Sequence, residues 1–192
     1  MGHGNTDTGE TATDSATRRL AELHAYFRGH PVNGPEGHSY TRLGGHATSA
    51  SPGLPYNERV ADHIRTSVTE IVTHTRTANP DAGLPERIAD VYDWAREHTQ
   101  HAPEDVQFRR DVLEYRHRLE HAVQAGDASV VRPHRCPACR TVGLHWQTDR
   151  QRAVCVNLHC AKGNNGISRS WTLGRLALEH VAREKSLREC AT

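Results

Sequence analysis

The sequence predicts a mainly α protein: a small helical bundle, then a C-terminal zinc ribbon built on a β-hairpin, then a closing helix. Three observations predict it. Apolar residues recur every three or four positions between residues 57 and 128, four cysteines fall in two turns between residues 136 and 160, and a capped amphipathic stretch follows Thr172. A chain of 192 residues suffices for a helical domain with a small appended module, but not for two large cores. Its apolar fraction of 35%, aromatic fraction of 5% and mean hydropathy of −0.74 imply a modest core with irregular edges.

Residues 1–13 are rich in Gly, Thr and Asp without periodicity, and a flexible tail is expected there. Residues 14–56 read as a short helix and an irregular arm. Leu20, Leu23 and Phe27 lie at helical spacing, Gly29 and Pro31 end the helix, and glycines and prolines break up the chain as far as Tyr56.

The bundle is expected over 57–128. Asn57 is placed to cap a first helix whose apolar stripe is Val60, Ile64, Val68 and Ile71, ending before Asn79-Pro80. A second helix is predicted from Pro85, with Ile88, Val91, Tyr92 and Ala95 on one face. A third runs from Pro103 to Ala125 on Phe108, Val112, Tyr115, Leu119 and Ala122, with Gly126 as its stop. These stripes are core faces, so Arg109, Arg110, Arg116 and Arg118 are expected on the solvated side. The 15 histidines are scattered from His3 to His180 with no HxH or HExxH grouping, and are read as solvated or packed residues without a catalytic role.

The ribbon is expected over 129–171. Cys136-Pro-Ala-Cys139 is followed after 15 residues by Cys155 and, after four intervening residues, by Cys160. A CxxC turn aims two thiolates at one centre, and a second turn opposite completes a tetrahedron. Leu144 to Trp146 and Ala153 to Val156, joined by Thr148 to Gln151, read as the hairpin between the turns, and Ile167 to Trp171 can add a third strand. The expected cofactor is one Zn2+ held by Cys136, Cys139, Cys155 and Cys160. Four thiolates leave no open position for water, so the site is structural. His159 and His145 are the candidates for a Cys3His variant, and Cys190 is read as a free thiol.

No run of about 18 apolar residues and no secretion signal is visible, so a cytoplasmic protein without a membrane partner is expected. In that compartment a disulfide framework is disfavoured, and the CxxC lacks the strand-to-helix setting of a redox motif. The closing helix over 172–192 starts from Thr172 as N-cap, with Trp171 stapling on Leu176. Its face of Leu173, Leu176, Ala177 and Val181 is expected to bury first of all on the ribbon.

Gly53-Leu-Pro-Tyr-Asn-Glu-Arg-Val60, the three helices, Cys136-Pro-Ala-Cys139, the hairpin tryptophan, the second cysteine pair and the closing Trp171-Thr-Leu173 helix together resemble small zinc-ribbon proteins of actinobacterial phages and mobile elements. The resemblance spans roughly residues 40–185 and implies a phage or mobile-element setting without implying a reaction. The basic residues fit an actinobacterial, GC-rich coding sequence, since all but Lys162 and Lys185 are arginines.

Net charge is +1, yet its distribution is uneven. Between Arg132 and Arg175 there are eight Lys and Arg against Asp149 alone, whereas residues 1–131 hold 13 Arg against 19 Asp and Glu. A non-enzymatic nucleic-acid-binding protein is therefore expected. Arg135, Arg140, Arg150, Arg152, Lys162 and Arg169 would meet the phosphates of DNA or RNA, and Trp146 is either a stacking residue or, preferentially, hairpin core. The alternative is a structural or adaptor protein whose ribbon and helices bind another protein or a second copy. No nucleophile with a paired base and no phosphate-cradling loop is visible, which argues against an enzyme.

Overall fold

The computed structural model describes residues 17–18, 20–22 and 58–191. The expected tail, most of the expected first short helix, the arm and the Asn57 cap lie outside the described residues. Residues 20–22 are helical, and Leu20 is fully buried.

Helix α1 spans Glu58–Ala78 and ends ahead of Asn79-Pro80, as its stripe predicts. Val60, Ile64 and Ile71 are buried. Helix α2 spans only Val91–Thr99, preceded by a 3-10 turn at Ile88–Asp90, so it begins later than Pro85. The cause is local. Arg87 is extended (φ −125°, ψ 139°), and its guanidinium donates to both Asp90 carboxylate oxygens at 2.7 and 2.9 Å. Ile88 is consequently 47% exposed and drops out of the expected apolar face.

Helix α3 spans Glu104–Gln124, with Glu104 and Asp105 in the first turn, where carboxylates favour the positive end of the helix dipole. Its end is a Schellman motif. Gly126 takes φ +87° and donates to the Val123 carbonyl at 3.0 Å, while the Asp127 amide reaches the Ala122 carbonyl at 2.8 Å. A 3-10 turn at Ala128–Val131 follows, capped by the Asp127 carboxylate accepting from the Ser129 amide.

The C-terminal module is a three-stranded antiparallel sheet of order β1-β2-β3, followed by a helix. Strands β1 (Leu144–Gln147) and β2 (Arg152–Cys155) form the expected hairpin, with Leu144 opposite Cys155 and Trp146 opposite Ala153. These four residues are buried, while His145 and Arg152 on the alternate face are exposed. Strand β3 is just Ser170–Trp171, paired with Val154 and Ala153. A short helix α4, Leu158–Lys162, lies between β2 and β3. Helix α5, Leu173–Glu189, begins as predicted at Thr172, whose hydroxyl accepts from the Arg175 amide at 3.2 Å.

Two apolar clusters share α3. Ile64, Ile71, Val91, Tyr92 and Ala95 build one between α1 and α2, with Leu113 of α3 packed against it. Tyr115, Leu119, Leu144, Trp146, Ala153, Leu176, Ala177 and Val181 build the other, together with Cys136, Cys155 and Cys160. The closing helix packs chiefly against α3, and not first of all on the ribbon as expected.

One expectation about polar residues is corrected. Arg110 is 4% exposed, not solvated. It donates to Thr99 at 2.8 Å and to Asp111 at 2.7 Å, and it stands 3.7 Å from the fully buried Glu114 carboxylate, which Arg96 meets at 2.6 Å. Five of the described histidines, dispersed in sequence, are gathered in space in two groups. His63, His117 and His121 cluster beside Tyr92, with His63 and His121 edge to face at 5.1 Å. The Glu70 carboxylate of α1 accepts from Arg116 and lies 3.3 Å from His117 Nε2. A second group joins Tyr115, His134 and His180, where the Tyr115 and His180 rings stack at 3.9 Å.

Candidate metal centre

The chain after α3 is shaped to bring two cysteine turns together. In the first, the Arg140 amide donates to the Cys136 carbonyl at 2.8 Å and the Cys136 amide to the Thr141 carbonyl at 2.9 Å. Arg140 takes φ +61° to close this turn, and Arg135 bridges to Val142 on its far side. The second turn begins where β2 ends at Cys155. Asn157 caps α4 by accepting from the His159 amide at 2.9 Å, and one helical turn then delivers Cys160. The four residues between these cysteines, longer than a CxxC, are what this capped turn requires.

All four sulfurs lie within 4.8 Å of one another, with Cys136 and Cys160 at 4.0 Å and Cys139 and Cys155 at 3.7 Å. Asn157 ties the two turns together. Its side-chain amide donates to Thr141 Oγ1 at 3.0 Å and approaches Cys139 Sγ at 3.8 Å, an outer contact of the kind that orients a thiolate. Hydrogen bonding from Thr141 draws the Cys139 thiol down to about 6, whereas burial pushes Cys155 up to about 12 and also raises Cys160. Crowded, buried sulfurs resist ionising together, and a bound cation is what reverses that penalty. The cluster can hold one metal ion.

Among the described residues no other group of histidine, cysteine or carboxylate side chains meets the same geometry. His145 and His159 are exposed and outside it, and Cys190 is exposed near the end of α5.

The six expected phosphate-binding residues do not occupy one place. Arg135 and Arg140 are neighbours, Arg135 donating to the Arg140 carbonyl at 3.1 Å and Arg140 pairing with Glu179 of α5 at 2.7 Å. Arg150 sits exposed in the hairpin turn with Asp149 at 3.9 Å, and Arg152 reaches Ser170 at 3.1 Å. Lys162 closes α4, and Arg169 donates to the Gly163 carbonyl at 3.3 Å. Trp146 is 5% exposed within the apolar cluster, so it is core.

Helix α5 holds what the sequence reading missed: Arg183 lines a cavity with Arg135 and Arg140. No local motif marks it, because the three residues meet only once α5 has packed. Among the described residues no helix is long and apolar enough to cross a membrane. No protein-family model, curated protein or solved structure matches the chain.

Proposed function

We propose that the four cysteines bind a single structural zinc ion, making the C-terminal module a zinc ribbon, and that the protein is a non-enzymatic nucleic-acid-binding protein. The observation that carries the metal assignment is the close approach of the four sulfurs, all within 4.8 Å of one another. A zinc–sulfur bond of about 2.3 Å implies sulfur–sulfur edges of about 3.8 Å, and two of the pairs stand at 3.7 and 4.0 Å. All-sulfur ligation suits zinc in a closed site, where it organises the fold and does no chemistry.

Nucleic acid is the partner favoured by charge. The module carries its arginines on exposed turns and strand faces, with Asp149 as its lone carboxylate between Arg132 and Arg175. Contacts of this type would be to phosphates and would weaken steeply with salt. A phage or mobile-element setting agrees with the sequence resemblance and with such a role.

One observation favours a second reading as an adaptor. Val142, Val156, Leu158 and Ile167 are all at least half exposed on the module, more apolar surface than so small a unit usually shows to water. Anisotropy titrations against generic single-stranded and duplex DNA at two salt concentrations separate the readings. Salt-sensitive micromolar binding supports the first, and its absence removes it. Native mass spectrometry of reduced protein tests the metal directly, with one zinc per chain expected.

A further inference from the structure

Between the first cysteine turn and α5 lies a cavity of about 580 Å³, lined by Arg135 and Arg140 from the turn, Tyr115 from α3, and His180, Arg183 and Ser186 from α5, among others. Its size is that of a small-ligand pocket. Arginines outnumber carboxylates around it, although the Glu184 carboxylate stands 3.0 Å from His180 Nε2. Glu179 is the carboxylate among the lining residues, and it is engaged by Arg140 at 2.7 Å and Arg175 at 2.5 Å. Arg135 is held by a neutral carbonyl, and Arg183 forms no ion pair among the described residues. A fourth guanidinium, Arg118, stands 5.0 Å from the centroid of the Tyr115 ring.

We propose that this cavity is a phosphate-binding pocket in which Arg183, Arg135 and Arg140 converge on one phosphate group of a nucleic-acid strand. The inference deepens the nucleic-acid reading and places its principal contact at the seam between the ribbon and α5. Guanidiniums offer paired N–H donors that match phosphate oxygens, and three from two separate elements define a position, not a diffuse basic surface. The Ser186 hydroxyl adds a neutral donor at the same wall. The local field agrees. Burial first, then Arg183 and Arg118, hold the His180 imidazole down to about 4, so the pocket keeps its positive charge on arginines and its histidine neutral at physiological pH.

The test uses the full-length, zinc-loaded protein. A fluorescein-labelled single strand, a duplex and inorganic phosphate are titrated into wild type, Arg183→Ala, Arg183→Lys and an Arg150→Ala/Arg152→Ala variant. Arg183 is exposed on a helix surface and is not one of the four cysteine ligands, so its variants should retain zinc content and melting temperature.

For Arg183→Ala we expect a roughly tenfold loss of strand affinity and a log–log salt slope smaller by about one. Partial recovery in Arg183→Lys and a smaller effect of the hairpin variant are also expected. If the hairpin variant abolishes binding and Arg183→Ala does not, the pocket is wrong while the nucleic-acid reading survives. Binding of inorganic phosphate that Arg183→Ala removes, without strand binding, upholds the pocket for a small phosphorylated ligand and sinks the nucleic-acid reading. If neither phosphate nor strand binds wild type, both fall.

Discussion

Arg96→Ala tests whether the buried carboxylate of Glu114 governs the stability of the bundle. By exposure alone the Arg96 side chain, 40% accessible, looks like half of a surface ion pair, for which a loss of 0.2–1 kcal/mol would be ordinary. Its partner changes the expectation. Glu114 is fully buried, the Arg96 bond to it is 2.6 Å, and the nearby Arg110, at 3.7 Å, is already committed to Asp111. Losing a hydrogen bond to a charged group costs about 1.5–3 kcal/mol, and breaking a fully buried pair about 3–5 kcal/mol. Because Arg110 still stands nearby, about 2–3 kcal/mol is expected, a fall of about 5–10 °C in melting temperature for a chain of this size. Urea denaturation of the zinc-loaded protein measures it. Arg65→Ala is the control: its bond to Asp62 is 2.7 Å, but both side chains are about 70% exposed, so less than 1 kcal/mol should be lost. Equal losses in the two variants, or less than about 1 kcal/mol for Arg96→Ala, would refute the claim that burial decides the outcome.

Other consequences can be checked independently. Cys155→Ser should abolish stoichiometric metal binding and redden the emission of Trp146 and Trp171, which pack in the cluster that includes Cys155, whereas Cys190→Ser should do neither. Gly126→Ala should cost about 1 kcal/mol by forcing a side chain into positive φ at the α3 terminus, with Gly83→Ala, at ordinary φ, near neutral by thermal melting. Burial, aided by neighbouring positive charge, lowers His63, His134 and His180 to about 4 from the usual 6.5. The folded state therefore binds fewer protons between these values, so stability is complete above about pH 6.5 and drains as pH falls toward 4. Urea midpoints at pH 7.5, 6 and 5 should decline in that order, and His63→Gln should reduce proton uptake on acid unfolding by about one. Glu70, held near 2 chiefly by its hydrogen bond from His117, extends the loss to lower pH.

Features whose causes are local were legible in the sequence. The Gly126 stop, the Thr172 cap, the hairpin and the cysteine cluster each depend on residues within a few positions, or on a spacing that one metal geometry explains. Features that depend on tertiary contact were not. Arg110 and Glu114 lie on a charged helix surface by sequence, and only the approach of α2 buries them. His63 is far along the chain from His117 and His121, so no motif could join them. The late start of α2 was obscured because Pro85 and Ile88 fit a helix opening, whereas the Arg87–Asp90 pair holds the chain extended just before it. The α4 helix was hidden inside a cysteine spacing that reads only as a turn.

Helix α3 presents one side to the α1–α2 cluster and the other to the sheet and α5. It therefore acts as a common spine, and there is no internal boundary at which either half could melt without stripping apolar contacts from the other. Occupancy of the cysteine site should then be felt across the whole spine. Chelation would lower the protection of α1 and α2 amides from solvent exchange, although neither helix contributes a sulfur.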